Sequence, residues 1–124
     1  MRRIAISSEG PGLDDAVDPR YGRAGGFVVA EYSEGGEAKL TYLDNGASQL
    51  MPQGAGIATT EMLAGAGIDA VLSGYVGPKA FEALLAAGID VVQDMEGMTV
   101  REALERYRSG QCLTASAPNH EAGM

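Results

Sequence analysis

A nine-residue stretch of this chain occurs twice, and it constrains how the fold can be connected. Leu63-Ala64-Gly65-Ala66-Gly67-Ile68-Asp69-Ala70-Val71 is echoed by Leu84-Leu85-Ala86-Ala87-Gly88-Ile89-Asp90-Val91-Val92. Each copy reads as the end of a helix, a glycine suited to the position just past it, and a short buried strand. Helical spacing upstream supports this: Ala55, Ala58, Met62 and Ala66 share one expected face, and Phe81, Leu84, Leu85 and Gly88 share the next. Two helix-to-strand units in succession require parallel crossovers, which are right-handed by default.

The first half of the chain reads differently. Residues 3–7 form an expected buried strand, followed by a loop through Gly10, Pro11, Gly12 and the acidic Asp14, Asp15 and Asp18. Residues 27–32 and 39–43 are β-prone and flank the turn Ser33-Glu34-Gly35-Gly36, so a hairpin makes the sheet mixed rather than purely parallel. The last helix opens with a capping box, Thr99 and Glu102, with Met98 placed to staple onto Ala103. Val100, Ala103, Leu104 and Tyr107 give it an apolar stripe, and Gly110 ends it. The expected fold is α/β, a three-layer arrangement around a five-stranded mixed sheet of order 3-2-1-4-5 with strand 2 antiparallel. One domain is expected over residues 1–112, with a flexible tail over 113–124, where the composition turns small and polar.

Composition narrows the partners. A formal charge of −8 argues against nucleic acid or anionic membrane, both bound largely through Lys and Arg. The single cysteine, Cys112, excludes an intramolecular disulfide and the usual multi-thiolate cluster sites. No apolar run reaches the length of a membrane span, and the apolar start is too short for a signal peptide, so a cytoplasmic location is expected.

The scarce positive charge is unevenly placed. Of nine Lys and Arg, Arg20, Arg23 and Lys79 sit in or beside three glycine-rich turns: Arg20-Tyr21-Gly22-Arg23, Gln53-Gly54-Ala55-Gly56, and Gly74-Tyr75-Val76-Gly77-Pro78-Lys79. In open α/β sheets ligands sit beyond the carboxyl ends of the parallel strands, and the expected topology brings these turns to that edge. Bare backbone N–H groups, helix N-termini and added positive charge suit a compact anion. The plainer reading, that the glycines only close tight turns, is as good on these residues alone. Convergence favours binding. The candidate site is therefore Ser8, Arg20, Tyr21, Gly22, Arg23, Gln53, Gly54, Ala55, Gly56, Gly74, Tyr75, Val76, Gly77 and Lys79, with no metal ligated directly by protein atoms.

Enzymatic readings find little support. Gly10-Pro11-Gly12 is not a dinucleotide fingerprint, and no phosphate-binding Walker sequence is present. Ser7 and Ser8 have no base nearby in sequence, and the lone His120 lies in the expected tail, so no catalytic residue is assigned. Strand one offers Ile4, Ala5, Ile6 and Ser7 with no central acid, so nuclease activity of the two-metal kind is not expected. Asp14, Asp15 and Asp18 suit a hard cation, but more often such a run supplies caps and ion-pair partners, here for Arg20 and Arg23.

These motifs also carry a resemblance. Residues 6–15, Val17-Asp18-Pro19-Arg20-Tyr21-Gly22-Arg23-Ala24, Asp44-Asn45-Gly46, Gln53-Gly54-Ala55-Gly56-Ile57, residues 74–81 and residues 97–103 resemble the dinitrogenase iron–molybdenum cofactor biosynthesis family, the small NifX/NifB-tail domains. The opening Ser-Ser-Glu-Gly-Pro-Gly and the Gly-Tyr-Val-Gly-Pro-Lys turn are most similar to its orange-protein branch from sulfate-reducing bacteria. The resemblance implies a ribonuclease H-like fold without nuclease activity and a non-covalently held mixed molybdenum–copper sulfide cluster as cargo. Such clusters are anions that bring their own sulfide, so no protein thiolate is needed, and Arg20, Arg23, Lys79 and backbone N–H groups would hold them. It also implies association with MinD/Mrp-type ATPases. The alternatives are a cluster-free interaction module acting with such an ATPase, and a carrier of iron–molybdenum cofactor precursor.

Overall fold

The structure is a computed structural model that describes residues 2–33, 36 and 38–119. Strand β1 spans Arg2–Ser8, β2 Gly26–Tyr32, β3 Ala38–Asp44, β4 Ala70–Leu72 and β5 Asp90–Val92. They form one five-stranded sheet in the order β3-β2-β1-β4-β5. β2 runs antiparallel to both β1 and β3, while β1, β4 and β5 pair in parallel, as the sequence implies. The β2–β3 register runs from Gly26 opposite Asp44 to Tyr32 opposite Ala38. Of the connecting turn, Glu34, Gly35 and Glu37 lie outside the described residues; Gly36, with φ of 79°, donates its N–H to Ser33 O.

Helices α1 (Gly46–Gln49), α2 (Ala55–Gly65), α3 (Pro78–Ala86) and α4 (Val100–Arg108) complete the fold. Period-two alternation divides the sheet residues between two cores. Ala5, Phe27, Val29, Val71 and Val91 face Leu63 of α2 and Phe81 and Leu84 of α3. Ile4, Ile6, Val28, Ala70, Leu72 and Val92 face Val100, Ala103 and Leu104 of α4. The result is three layers.

Each echoed segment ends its helix in the same way. Gly67 and Gly88 adopt φ of 72° and 74°, a left-handed conformation that glycine enters without a Cβ penalty. The next N–H groups reach back across the turn, Ile68 to Leu63 O and Ile89 to Leu84 O, and both isoleucines are buried. The capping box of α4 is formed: Thr99 Oγ1 accepts from Glu102 N, and Glu102 Oε1 accepts from Thr99 N.

Some expected details fail. The buried residues of α2 are Ala55, Thr59, Thr60 and Leu63; of the expected face Ala55 is buried, and Met62 and Ala66 pack half-buried at the edge of the same core. Threonine does not score as apolar, yet these two are buried because both hydroxyls are hydrogen-bonded. Leu85 is 54% exposed, so α3 packs through Ala80, Phe81 and Leu84 instead. The structure also places a single-turn helix, α1, between β3 and the first expected helix. Past Gly110 the chain does not simply leave the surface: Ala115 N donates to Val91 O at 2.7 Å, and Gln93 Nε2 donates to Ala117 O at 2.9 Å. His120 lies outside the described residues.

Candidate functional site

The glycine turns meet because their backbones touch. Tyr75 N donates to Pro19 O and Tyr21 N donates to Tyr75 O, a parallel bridge that joins Arg20 to Tyr75. A Cβ on Gly22 would lie 2.8 Å from Gly56 N, one on Gly74 would lie 2.8 Å from Pro19 Cα, and one on Gly56 would lie 2.7 Å from the Ala80 Cβ. Real Cβ atoms do not approach so closely. Gly22, Gly56 and Gly74 are therefore required for the turns to pack on each other at all, whatever they bind.

Buried polar side chains lock this packing. Thr59 Oγ1 donates to Gly22 O and also bonds Asn45, whose Nδ2 donates to Ala24 O. Tyr21, 1% exposed, shares a 2.9 Å hydrogen bond with Thr60 Oγ1, and Thr60 in turn donates to Gly56 O. Burial pushes the Tyr21 phenol far above its ordinary range, and the Thr60 bond only partly offsets it, so the ring stays neutral. Thr59 and Thr60 carry no motif in the sequence, and Asn45 stands out there only as part of Asp44-Asn45-Gly46. Their signal is faint, because a polar residue on an apolar face looks like a gap in the stripe until its partner is known.

The site residues separate into distinct roles. Tyr21 and Val76 place their side chains in the core and offer only backbone to the turn cluster. Ser8 is not part of the cluster: it is fully buried, shares the α4 side of β1 with Ile4 and Ile6 by alternation, and bonds the peptide of Gly10. Arg23 does not pair with the acidic loop. Its guanidinium donates to Met51 O at 2.9 Å and more weakly to Gln49 O and Pro52 O, while Gln49 Nε2 donates back to Arg23 O. It clamps the segment between α1 and α2. Arg20 does pair with the acidic loop, its Nε 3.6 Å from Asp18 Oδ1, yet its side chain is 61% exposed. Lys79 is exposed in the first turn of α3. Of the other acids in that loop, Asp14 pairs with Arg101 and Asp15 accepts from Gly12 N.

The two helix N-termini at this edge are bare. Helix α2 begins after Gly54 (φ 78°) and α3 after Gly77, and neither has a side-chain cap hydrogen bond or an acidic residue in its first turn. Helix α4, by contrast, satisfies its own first turn with Thr99 and Glu102. Uncapped first-turn N–H groups carry the positive end of the helix dipole, so α2 and α3 present anion-compatible ends beside Arg20 and Lys79. Asp94 and Glu96, the latter with a buried oxygen that has no partner among the described residues, flank Gly74 on its β5 side. Their charge disfavours an anion there and leaves the α2 side. Among the described residues no group of His, Cys, Asp and Glu is arranged to hold a metal ion. Cys112 lies past the far end of α4 against the second core, and burial raises its thiol above the ordinary range.

Comparison with known proteins agrees with this architecture. Residues 1–110 match the family described as dinitrogenase iron–molybdenum cofactor. The apo structure of the orange protein from Desulfovibrio gigas has a TM-score of 0.89 and 55% identity, over 97% of this chain and 98% of that one. A protein from Thermotoga described as a NifB protein gives 0.74 and 31% identity, over 92% and 93% of the two chains. An uncharacterised protein of Methanocaldococcus jannaschii is 28% identical over 79% of this chain and 81% of its own. On sequence and fold together, the chain belongs to the dinitrogenase iron–molybdenum cofactor family.

Proposed function

We propose that this protein is a carrier of a compact anionic metal–sulfide cluster, held without covalent bonds at the carboxyl edge of the sheet. One observation carries the reading: the bare N-termini of α2 and α3 open beside Arg20 and Lys79 in a chain of net charge −8. Backbone N–H groups around Gly54, Ala55, Gly56, Gly77 and Lys79 would donate to the sulfide surface, and Arg20 and Lys79 would supply charge. Gln53 and Tyr75 flank that space. Gly22, Gly74, Tyr21, Val76 and Arg23 set its shape. In this reading the protein binds and releases its cargo and catalyses nothing.

The likeness to the orange protein makes a mixed molybdenum–copper sulfide cluster the first cargo to try; iron–molybdenum cofactor precursor is the second. A MinD-type ATPase as partner, which rests on the resemblance alone, and a cytoplasmic location belong to the same proposal. The test is to add tetrathiomolybdate and Cu(I), then record the visible spectrum and the metal content after gel filtration. Retained colour with stoichiometric metal is expected; a colourless, metal-free protein peak would overturn the cluster reading. Cys112→Ser should retain the cluster as well as the parent does, because the thiol lies at the opposite edge. Loss of colour in that variant alone would mean that thiolate, and not charge, holds the cargo.

A further inference from the structure

We infer that residues 115–119 form a detachable strap, latched by Asn119 onto the turn at Gly74 and Val76, and that the docked strap sets this turn for anion binding. The latch is a side chain imitating a neighbouring strand. Asn119 Oδ1 accepts the Val76 N–H at 2.9 Å, and its Nδ2 donates to Gly74 O at 2.8 Å and to Asp94 Oδ1 at 2.9 Å. A second carboxamide does the same one step earlier. Gln93 Nε2 donates to Ala117 O and Gln93 Oε1 accepts from Asn119 N, at 2.9 and 3.0 Å. Residues 115, 117 and 119 thus advance alongside Val91, Gln93 and the Gly74 turn, parallel to β5 and on its free edge.

Handedness explains why this segment is a strap and not a sixth strand. It repeats the echoed pattern once more: a helix, a left-handed glycine (Gly110, φ 77°), and a segment lying beside the previous strand. Helices α2 and α3 cross on one face of the sheet, whereas α4 crosses on the other. A parallel strand added outside β5 through α4 would therefore close a left-handed crossover, the strongly disfavoured hand. The segment makes a single backbone–backbone hydrogen bond to β5, Ala115 N to Val91 O, and depends on two side-chain amides for the rest. Edge cover held this way opens more readily than a strand ladder.

Its consequence falls on the third glycine turn. Pro19 and Tyr21 hold the Tyr75 peptide from one side, and Asn119 holds Gly74 and Val76 from the other. Release of the strap takes away the partner of the Val76 N–H and leaves Gly74 O only the Asp94 N–H on that side, immediately before the bare N-terminus of α3. Docking and anion binding are then coupled, and the coupling is reciprocal. The effect on binding rests on the cluster reading above, whereas the latch itself does not.

Two variants open the strap from different places: Asn119→Ala removes the latch, and Gln93→Ala removes the clamp without touching the turn. Both should raise amide hydrogen exchange at Val76 by about fivefold to tenfold, the scale of losing one or two neutral hydrogen bonds. Both should also weaken retention of the tetrathiomolybdate–Cu(I) species by a similar factor, and adding that species to the parent protein should slow Val76 exchange. Unchanged Val76 exchange in the Gln93 variant would overturn the strap. Faster exchange with undiminished retention would show that the strap covers an edge and does not serve the site. Should the parent retain no coloured species, the cluster reading and the coupling both fall, and exchange still decides the latch.

Discussion

Arg20 and Arg23 stand three residues apart and have opposite tasks. Arg23 spends its guanidinium on the carbonyls of Gln49, Met51 and Pro52, at the end of α1 where helix carbonyls lack partners. Arg20 is largely exposed beside Asp18 and contributes little to holding the fold, as expected of a surface ion pair. Arg23→Gln should therefore cost about 1–2 kcal/mol of stability through lost charge-assisted hydrogen bonds, lowering the melting temperature by about 3–6 °C. Arg20→Gln should leave melting nearly unchanged and weaken cluster retention about tenfold, on the order of 1.4 kcal/mol. Thermal melts beside the retention assay separate the two; equal melting temperatures would show that the Arg23 clamp is not holding the loop. From sequence the two arginines look equivalent, because a carbonyl partner has no sequence signature.

At the scale of elements, contact between α2 and α3 depends on one missing methyl group. Gly56 opens the first turn of α2, where a Cβ would lie 2.7 Å from that of Ala80 on α3. Gly56→Ala should destabilise by about 1–3 kcal/mol through overpacking, even though alanine is the better helix former. Adding Ala80→Gly should recover part of that loss, and denaturant titration of the single and double variants checks it; no recovery would place the strain elsewhere. Helix α4 behaves differently because its start is electrostatic. Glu102 is held below the ordinary carboxylate range first by the Thr99 backbone N–H, then by the Thr99 hydroxyl. Its folded-state pKa is depressed, so its contribution is fully present above the ordinary value of 4.5 and is lost as pH falls through the folded value. Acid should loosen the start of α4 in that window, and Glu102→Gln should flatten this part of the pH profile in amide exchange at residues 99–102. The capping box was legible in the sequence because both partners lie within one turn.

For the whole molecule, net charge and local charge oppose each other. The total of −8 repels an anion at long range, while the α2 and α3 ends with Arg20 and Lys79 attract it at contact. Contact dominates once the Debye length falls to about 10 Å near 0.1 M salt, and exposed contacts are screened further as it shrinks to about 3 Å near 1 M. Cluster retention should then fall roughly fivefold between those salt concentrations, measured by colour retained on gel filtration; retention that rises with salt would indicate apolar and not charge-based holding. Strand order, the crossovers, the helix stops at Gly67 and Gly88 and the cap of α4 are legible in the chain without its fold. Those features follow from periodicity and from partners a few residues apart. Long-range packing alone settles that Gly22 faces Gly56, Gly56 faces Ala80 and Gly74 faces Pro19, that Arg23 and Tyr21 serve the scaffold, that Ser8 lies with the α4 side, and that Asn119 returns to the Gly74 turn. Each of those depends on a partner far away in the chain, and neither hydrophobic period nor local propensity records which distant backbone a side chain will meet.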